Sequence, residues 1–207
     1  RPGVAGLPLK VNEIRVVDNA GIEVEQGEVG EVLVRGKNVA TRFLGYAGPE
    51  FEQGWLKTGD MGRVEDDGNI VLVGRRSNII NRGAYKIYAL EVEESLATVP
   101  GVAEAAVIGV PHPILGQDIV AFVTLDQKID PAQLLGALRA KISSFKIPSQ
   151  IIPLAKMPQN RLGKVVKDDL LQVYLNRQLE NAASADEATI LPRLCQLVAD
   201  KNGRAHV

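Results

Sequence analysis

The hydrophobic pattern of this chain changes period at Gly74, and that change confines it to two unlike parts. Before Gly74 the apolar residues come in short β-rich runs, EIRVVD (13–18), EVLVRG (31–36) and NIVLVGR (69–75). DNAG (18–21), EQGEVG (25–30) and Asp66-Asp67-Gly68 supply turn chemistry between them. Short strands joined by turns predict a small β-barrel-like subdomain over residues 1–73, with a thin core of its own.

Beyond Gly74 helical and strand periods alternate. ALEVEESLATV (89–99) sets Val92, Leu96 and Val99 at i, i+4 and i+7, one face of a helix. VAEAAVIGV (102–110) and DIVAFVTL (118–125) read as strands. DPAQLLGALRAKI (130–142) reads as a helix with Asp130 as N-cap, Pro131 in the first position, and Leu134, Leu138 and Ile142 inward. SQIIPL (149–154) is a short strand and KVVKDDLLQVYL (164–175) a last helix. The order from residue 84 is β-α-β-β-α-β-α. It predicts an α+β protein in which the β-subdomain is followed by a compact α/β-layered C-terminal domain over 79–175. Past Leu175 the pattern weakens. ENAASADEA (180–188) reads as a polar linker and TILPRLCQLVADK (189–201) as one more amphipathic helix, so 176–207 is a tail.

Composition narrows the function classes. A net charge of −1 argues against a general nucleic-acid binder, which needs a basic excess to neutralise phosphates. The single cysteine, Cys195, allows no disulfide within the chain and no paired-cysteine metal site; no metal site is expected, and the pattern fits a reducing cytoplasm. No apolar run approaches the ~18 residues of a membrane span, and no signal peptide is visible. The sequence opens on Arg1-Pro2-Gly3, which reads as a start inside a larger protein.

Two Gly-Lys pairs, Gly36-Lys37 and Gly163-Lys164, lack the Ser or Thr and the upstream glycine spacing of a Walker loop. No GxGxxG is present either, so neither of those nucleotide sites is available. A third pattern emerges from LKTGD (56–60), GRRSNIINRGAYKIYALEVEE (74–94) and PQNRLGK (158–164), taken in order, with GVPHPILGQDIVAFV (109–123) between the last two. Order, spacing and motifs together resemble the adenylate-forming (AMP-binding) superfamily of acyl- and aryl-CoA synthetases, luciferases and peptide-synthetase adenylation domains. The resemblance covers residues 1 to about 175 and only the C-terminal portion of such a protein.

That resemblance implies specific roles. Asp60, after Thr58-Gly59, would bind the ribose hydroxyls of ATP or AMP, since a carboxylate accepts two hydrogen bonds at once. Arg75 would bind ribose or phosphate oxygens through its planar fork, with Arg76 beside it a solvated surface residue. Residues 74–78 would form a hinge centred on Ser77, where the family usually has Asp or Lys. Asn81, Gly83 and Ala84 stand where CoA synthetases carry a Gly-Gly pair lining the pantetheine tunnel; Gly83 matches and Ala84 does not. Lys164 would be the catalytic lysine, entering a cleft of the preceding large domain and neutralising charge between the acyl carboxylate and the α-phosphate. Asn160 replaces a common threonine. His112, between two prolines, is expected to be a structural loop residue.

The reaction so implied activates a carboxylic acid with ATP and Mg2+ to an acyl-adenylate and passes the acyl group to coenzyme A, as in fatty acid metabolism. The partners implied are the missing N-terminal domain and a small carboxylic acid. Two alternatives stay open: an adenylation domain that loads a carrier protein, and a stand-alone lid or interaction fragment, inactive alone.

Overall fold

The computed structural model describes residues 3–41, 50–127 and 129–183. The first part is one antiparallel sheet. It contains β1 (Val4–Gly6), β2 (Asn12–Val17), β3 (Gly30–Gly36), β4 (Phe51–Glu52), β5 (Trp55–Val64) and β6 (Ile70–Arg75). The strand order is β1-β6-β5-β3-β2, with β4 paired to β5. The three β-rich runs form β2, β3 and β6. β5 was not among them, because WLKTGDMGRV is polar and carries two glycines; pairing with β3 on one side and β6 on the other makes it a strand. The barrel-like closure expected from the turn spacing is not seen, for β1 and β2 end the sheet unjoined. Turn spacing reports strand length, whereas closure depends on tilt and stagger. The thin core expected here is found: Trp55 is buried with Val17 and Leu33, and the guanidiniums of Arg15 and Arg35 lie 4.6 and 4.5 Å from its ring centroid.

A single 3-10 turn, Arg76–Asn78, leads into the second part. It comprises β7 (Ile79–Arg82), β8 (Tyr85–Tyr88), α1 (Ala89–Ala97), β9 (Val102–His112), β10 (Gly116–Leu125), α2 (Pro131–Arg139), β11 (Gln150–Pro153) and α3 (Lys167–Ala183). From residue 84 this is the element order read from the sequence. The addition is β7, a strand where the motif reading had only a loop. β10 is central: antiparallel to β9 from Gly116↔His112 to Leu125↔Val102, parallel to β11, and joined to β7 at Gly116↔Arg82.

Both faces of this sheet are covered, which is why DIVAFV is apolar at every position after Asp118 instead of alternating. Val107, Ile119, Ala121 and Val123 point to α1 and α2, where Val92, Leu96, Leu134 and Leu138 are buried. Ile108, Val120 and Phe122 point the other way, to Leu170 of α3 and Met157. The predicted inward residues of α1 and α2 are thus the core, with Ile142 packing against it just beyond the end of α2. Asp130 caps α2 as expected, its Oδ1 accepting the Ala132 N–H at 2.9 Å. Truncating Leu96 or Leu170 to alanine would cost about 2–5 kcal/mol.

α3 departs from expectation at both ends. It begins at Lys167, because residues 159–165 are held in a separate turn. It runs on through Ala183, past the expected end at Leu175. Residues 176–183 are mostly good helix formers, so local propensity extends the helix where the apolar stripe fades. Cys195, the rest of the linker and the expected tail helix lie outside the described residues. Among the described residues no helix is long and apolar enough to cross a membrane.

Candidate functional site

The register of β5 on β6 sets Asp60 opposite Arg75. Thr58 fixes the approach: its hydroxyl donates to the Val32 carbonyl of β3 at 2.8 Å and accepts the Asp60 N–H at 3.0 Å. Arg75 Nε lies 2.7 Å from Asp60 Oδ1, and Arg75 Nη1 donates to the Thr58 carbonyl at 3.2 Å. The guanidinium therefore closes back over the Thr58-Gly59-Asp60 segment. Both side chains line a cavity of about 240 Å³ between the first sheet and the start of α1, with Asn78, Tyr88, Glu93 and Lys167 on its other walls. A carboxylate and a guanidinium on one wall offer acceptors and donors side by side, a set suited to a polyhydroxyl or phosphate ligand. Burial pushes the Tyr88 phenol above its usual range, so it is a neutral wall of this cavity.

Ser77 lies in the 3-10 turn directly after this pair, with its hydroxyl 3.4 Å from Asn78 Oδ1. Arg76 is exposed at the surface, as expected, but it is not without partners. Its guanidinium pairs with Glu31 of β3, whose residue exposure is 7 %, and reaches Asn19 Oδ1 at 3.4 Å. A buried carboxylate needs a cation, and nothing in the local sequence pairs positions 31 and 76. A second cavity, about 350 Å³, opens behind the turn between Ser77, Asn78, Ile80, Gln117, Lys167 and Leu171.

Asn81, Gly83 and Ala84 are on the β7–β8 hairpin. Arg82 pairs with Tyr85, leaving Gly83-Ala84 as a two-residue turn. Gly83 has φ +60°, the left-handed value that a first turn position requires and that side chains disfavour. Its N–H donates to the Leu115 carbonyl at 2.7 Å, and the Asn81 N–H donates to Gln117 Oε1 at 2.7 Å. His112 is structural, as expected: Nδ1 accepts the N–H groups of Ile114 and Leu115 at 3.2 and 3.1 Å, shaping the loop that backs Gly83.

Lys164 is exposed at the end of a pinned turn. Asn160 organises it: its N–H donates to the Lys164 carbonyl at 2.8 Å, and its Oδ1 accepts the N–H groups of Leu162 and Lys164 at 2.9 and 3.0 Å. Gly163 takes φ +77° in that turn and donates to the Asn160 carbonyl at 3.0 Å, so it serves a closed turn, not a loose hinge. Among the described residues the Lys164 ammonium has no acceptor.

The structure thus brings Asp60 and Arg75 together, beside Ser77, and holds Asn81, Gly83 and Ala84 on one hairpin. Lys164 lines neither cavity. The lysine that does is Lys167, three residues on at the start of α3, paired with Glu93 Oε1 at 2.7 Å and donating to the Val107 carbonyl at 2.9 Å. Sequence reading missed Lys167, Glu93 and Tyr88; the Glu93–Lys167 contact joins residues 74 apart and leaves no periodic signal. Among the described residues no three His, Cys, Asp or Glu side chains converge.

Residues 91–164 match the family described as the AMP-binding enzyme C-terminal domain. Over those residues the chain carries the AMP-binding enzyme C-terminal domain. Among curated relatives, it is 39 % identical over 167 residues to 2-succinylbenzoate–CoA ligase of Enterococcus faecalis, covering 80 % of this chain and 34 % of that protein. It is 34 % identical over 182 residues to indoleacetate–CoA ligase of Aromatoleum aromaticum, covering 86 % of this chain and 36 % of that protein. Among solved structures, o-succinylbenzoate CoA synthetase of Bacillus subtilis, in complex with its acyl-adenylate intermediate, superposes with a TM-score of 0.78 at 33 % identity, over 81 % of this chain and 35 % of that one. The chain therefore spans about a third of the length of the relatives it matches.

Proposed function

We propose that this chain is the C-terminal part of an ATP-dependent acyl-CoA ligase. The observation that carries the proposal is the division of labour in the adenylate-forming domain. A carboxylate–guanidinium pair, Asp60 and Arg75, lines a cavity on one sheet, and the Lys164 ammonium, with no acceptor among the described residues, is presented on a separate pinned turn. The relatives' names, CoA ligases for succinylbenzoate and for indoleacetate, support a carboxylic acid as substrate and CoA as acceptor.

In the first half-reaction a carboxylate oxygen attacks the α-phosphorus of ATP; the new P–O bond forms as pyrophosphate leaves. Asp60 accepts hydrogen bonds from the ribose hydroxyls and Arg75 donates to ribose or phosphate oxygens. Lys164 supplies a positive charge where negative charge gathers between acyl carboxylate and α-phosphate. It needs no neighbouring base, only reach and a firm turn, which Asn160 provides. Mg2+ belongs with the ATP phosphates. In the second half-reaction the CoA thiol loses its proton to solvent, its sulfur bonds to the acyl carbon, the acyl–phosphate C–O bond breaks, and AMP leaves. The hairpin bearing Asn81, Gly83 and Ala84 faces the thiol arm in that step. Turning about Ser77 exchanges the Lys164 turn for the hairpin.

The test is pyrophosphate–ATP exchange by the full-length protein across a panel of carboxylic acids, followed by transfer to CoA and to a phosphopantetheinyl carrier side by side. Acid-dependent exchange with transfer to CoA supports the ligase. Transfer to the carrier alone reassigns the acceptor, and no exchange with any acid rejects an adenylating enzyme.

A further inference from the structure

The residue just before the Gly83-Ala84 turn carries more contacts than the turn itself. Arg82 Nε lies 3.0 Å from Asp118 Oδ1 on β10, and both side chains are largely buried, at 21 % and 14 % exposure. Arg82 Nη1 donates to the carbonyls of Phe145 and Ile147 at 3.0 and 3.2 Å. One guanidinium thus ties β7 to β10 and to the segment that leads into β11.

The other flank of the turn is fixed to that same segment by different chemistry. Tyr85, the cross-strand partner of Arg82, stacks on Phe145 with centroids 4.4 Å apart and planes 15° from parallel. The two residues that bracket Gly83-Ala84 therefore both grip residues 145–147, one through backbone carbonyls and one through a ring. The Leu115 carbonyl holds the Gly83 N–H from a third side. An ordinary two-residue hairpin tip is free to flex; this one is held on three sides.

We propose that Arg82 is a positioning residue that, with Asp118, sets the Gly83-Ala84 turn for the thiol-transfer half-reaction. This rests on the ligase reading above. The role requires a fork. Engaging Asp118 through Nε and two carbonyls through Nη1 demands a planar guanidinium, whereas a lysine ammonium offers three donors from one point. Charge alone does not substitute. Lys164 lies on a separate turn and shares none of these contacts, so adenylation does not depend on them.

The experiment compares Arg82→Lys and Arg82→Gln with wild type in the full-length protein. Pyrophosphate exchange and acyl transfer from supplied acyl-adenylate to CoA are measured separately, with amide hydrogen exchange at residues 83–85. In both variants, transfer is expected to fall about tenfold or more, chiefly through KM for CoA, as expected for a displaced positioning element. Pyrophosphate exchange should stay within about twofold, and amide exchange at 83–85 should quicken, with the charge-retaining lysine variant faring no better than glutamine. A parallel fall in both half-reactions, as lost folding would give, overturns the proposal, as does unchanged amide exchange at 83–85. Absence of pyrophosphate exchange in the wild type would instead defeat the ligase reading, and the thiol-step role with it. Faster amide exchange in the variants would then still show that Arg82 holds the turn.

Discussion

Asp60 and Arg75 face each other across β5 and β6, and one oxygen of the carboxylate is committed to the arginine at 2.7 Å. Thr58 holds the pair from beneath, its carbonyl accepting from Arg75 and its hydroxyl from the Asp60 N–H. Asp60→Asn keeps the shape but removes the charge that both Arg75 and a ribose would use. Charge-assisted hydrogen bonds contribute about 1.5–3 kcal/mol, so KM for ATP in pyrophosphate exchange should rise on the order of tenfold or more. Unchanged KM for ATP would remove Asp60 from the nucleotide site.

Lys164 differs in kind, because in the proposed reaction it would act on charge that develops during the chemical step. Lys164→Ala should lower pyrophosphate exchange by at least about 100-fold and leave acyl transfer from supplied acyl-adenylate nearly intact. Acetylating Lys164 removes the same charge and should have the same effect. Equal loss of both half-reactions in Lys164→Ala would contradict separate roles.

Much of the second part was legible because its signals are local. The faces Val92-Leu96-Val99 and Leu134-Leu138, and the Asp130 cap, are read off spacing within one helix, and each lies where expected. What stayed hidden depends on contacts distant in sequence. β5 is a strand by virtue of β3 and β6, and Arg76, though half exposed, is ion-paired because Glu31 is a buried acid across the sheet. The candidate site divides in the same way. TGD and the Gly-Lys turn announce Asp60 and Lys164, but no spacing reveals that Lys167 reaches Glu93, or that Arg82 and Tyr85 converge on one segment.

Two exposed glutamates give a pH prediction with a definite sign. The Glu13 carboxyl is held below the usual range first by its hydrogen bonds from Arg35, against a smaller opposing cost of burial, with the charges of Arg35 and Arg15 helping. Glu52 is lowered by its hydrogen bond from Lys57 and by that residue's charge. A folded-state pKa below the unfolded value means the stabilisation is present above the unfolded pKa and is lost as pH falls through the folded one. Both groups are exposed, so the contribution is small and screened by salt. Carboxyl-detected NMR titration should show both midpoints below those of the unfolded chain, moving up at about 1 M salt. Arg35→Ala should raise the Glu13 midpoint and leave Glu52 unmoved.

The Arg76–Glu31 tether bears on where the chain can turn. Arg76 precedes Ser77 and is tied back to β3, so the proposed turning about Ser77 would start after it. Glu31 is 7 % exposed, and removing its partner would strand a buried carboxylate. Arg76 is itself half exposed, so Arg76→Ala should cost about 1–3 kcal/mol in denaturant unfolding, below the range for a fully buried pair. Glu31→Gln in the Arg76→Ala background should recover much of that loss, since a neutral amide tolerates burial better than an unpaired charge. A double-mutant cycle with no coupling would show that the pair contributes nothing to holding the turn.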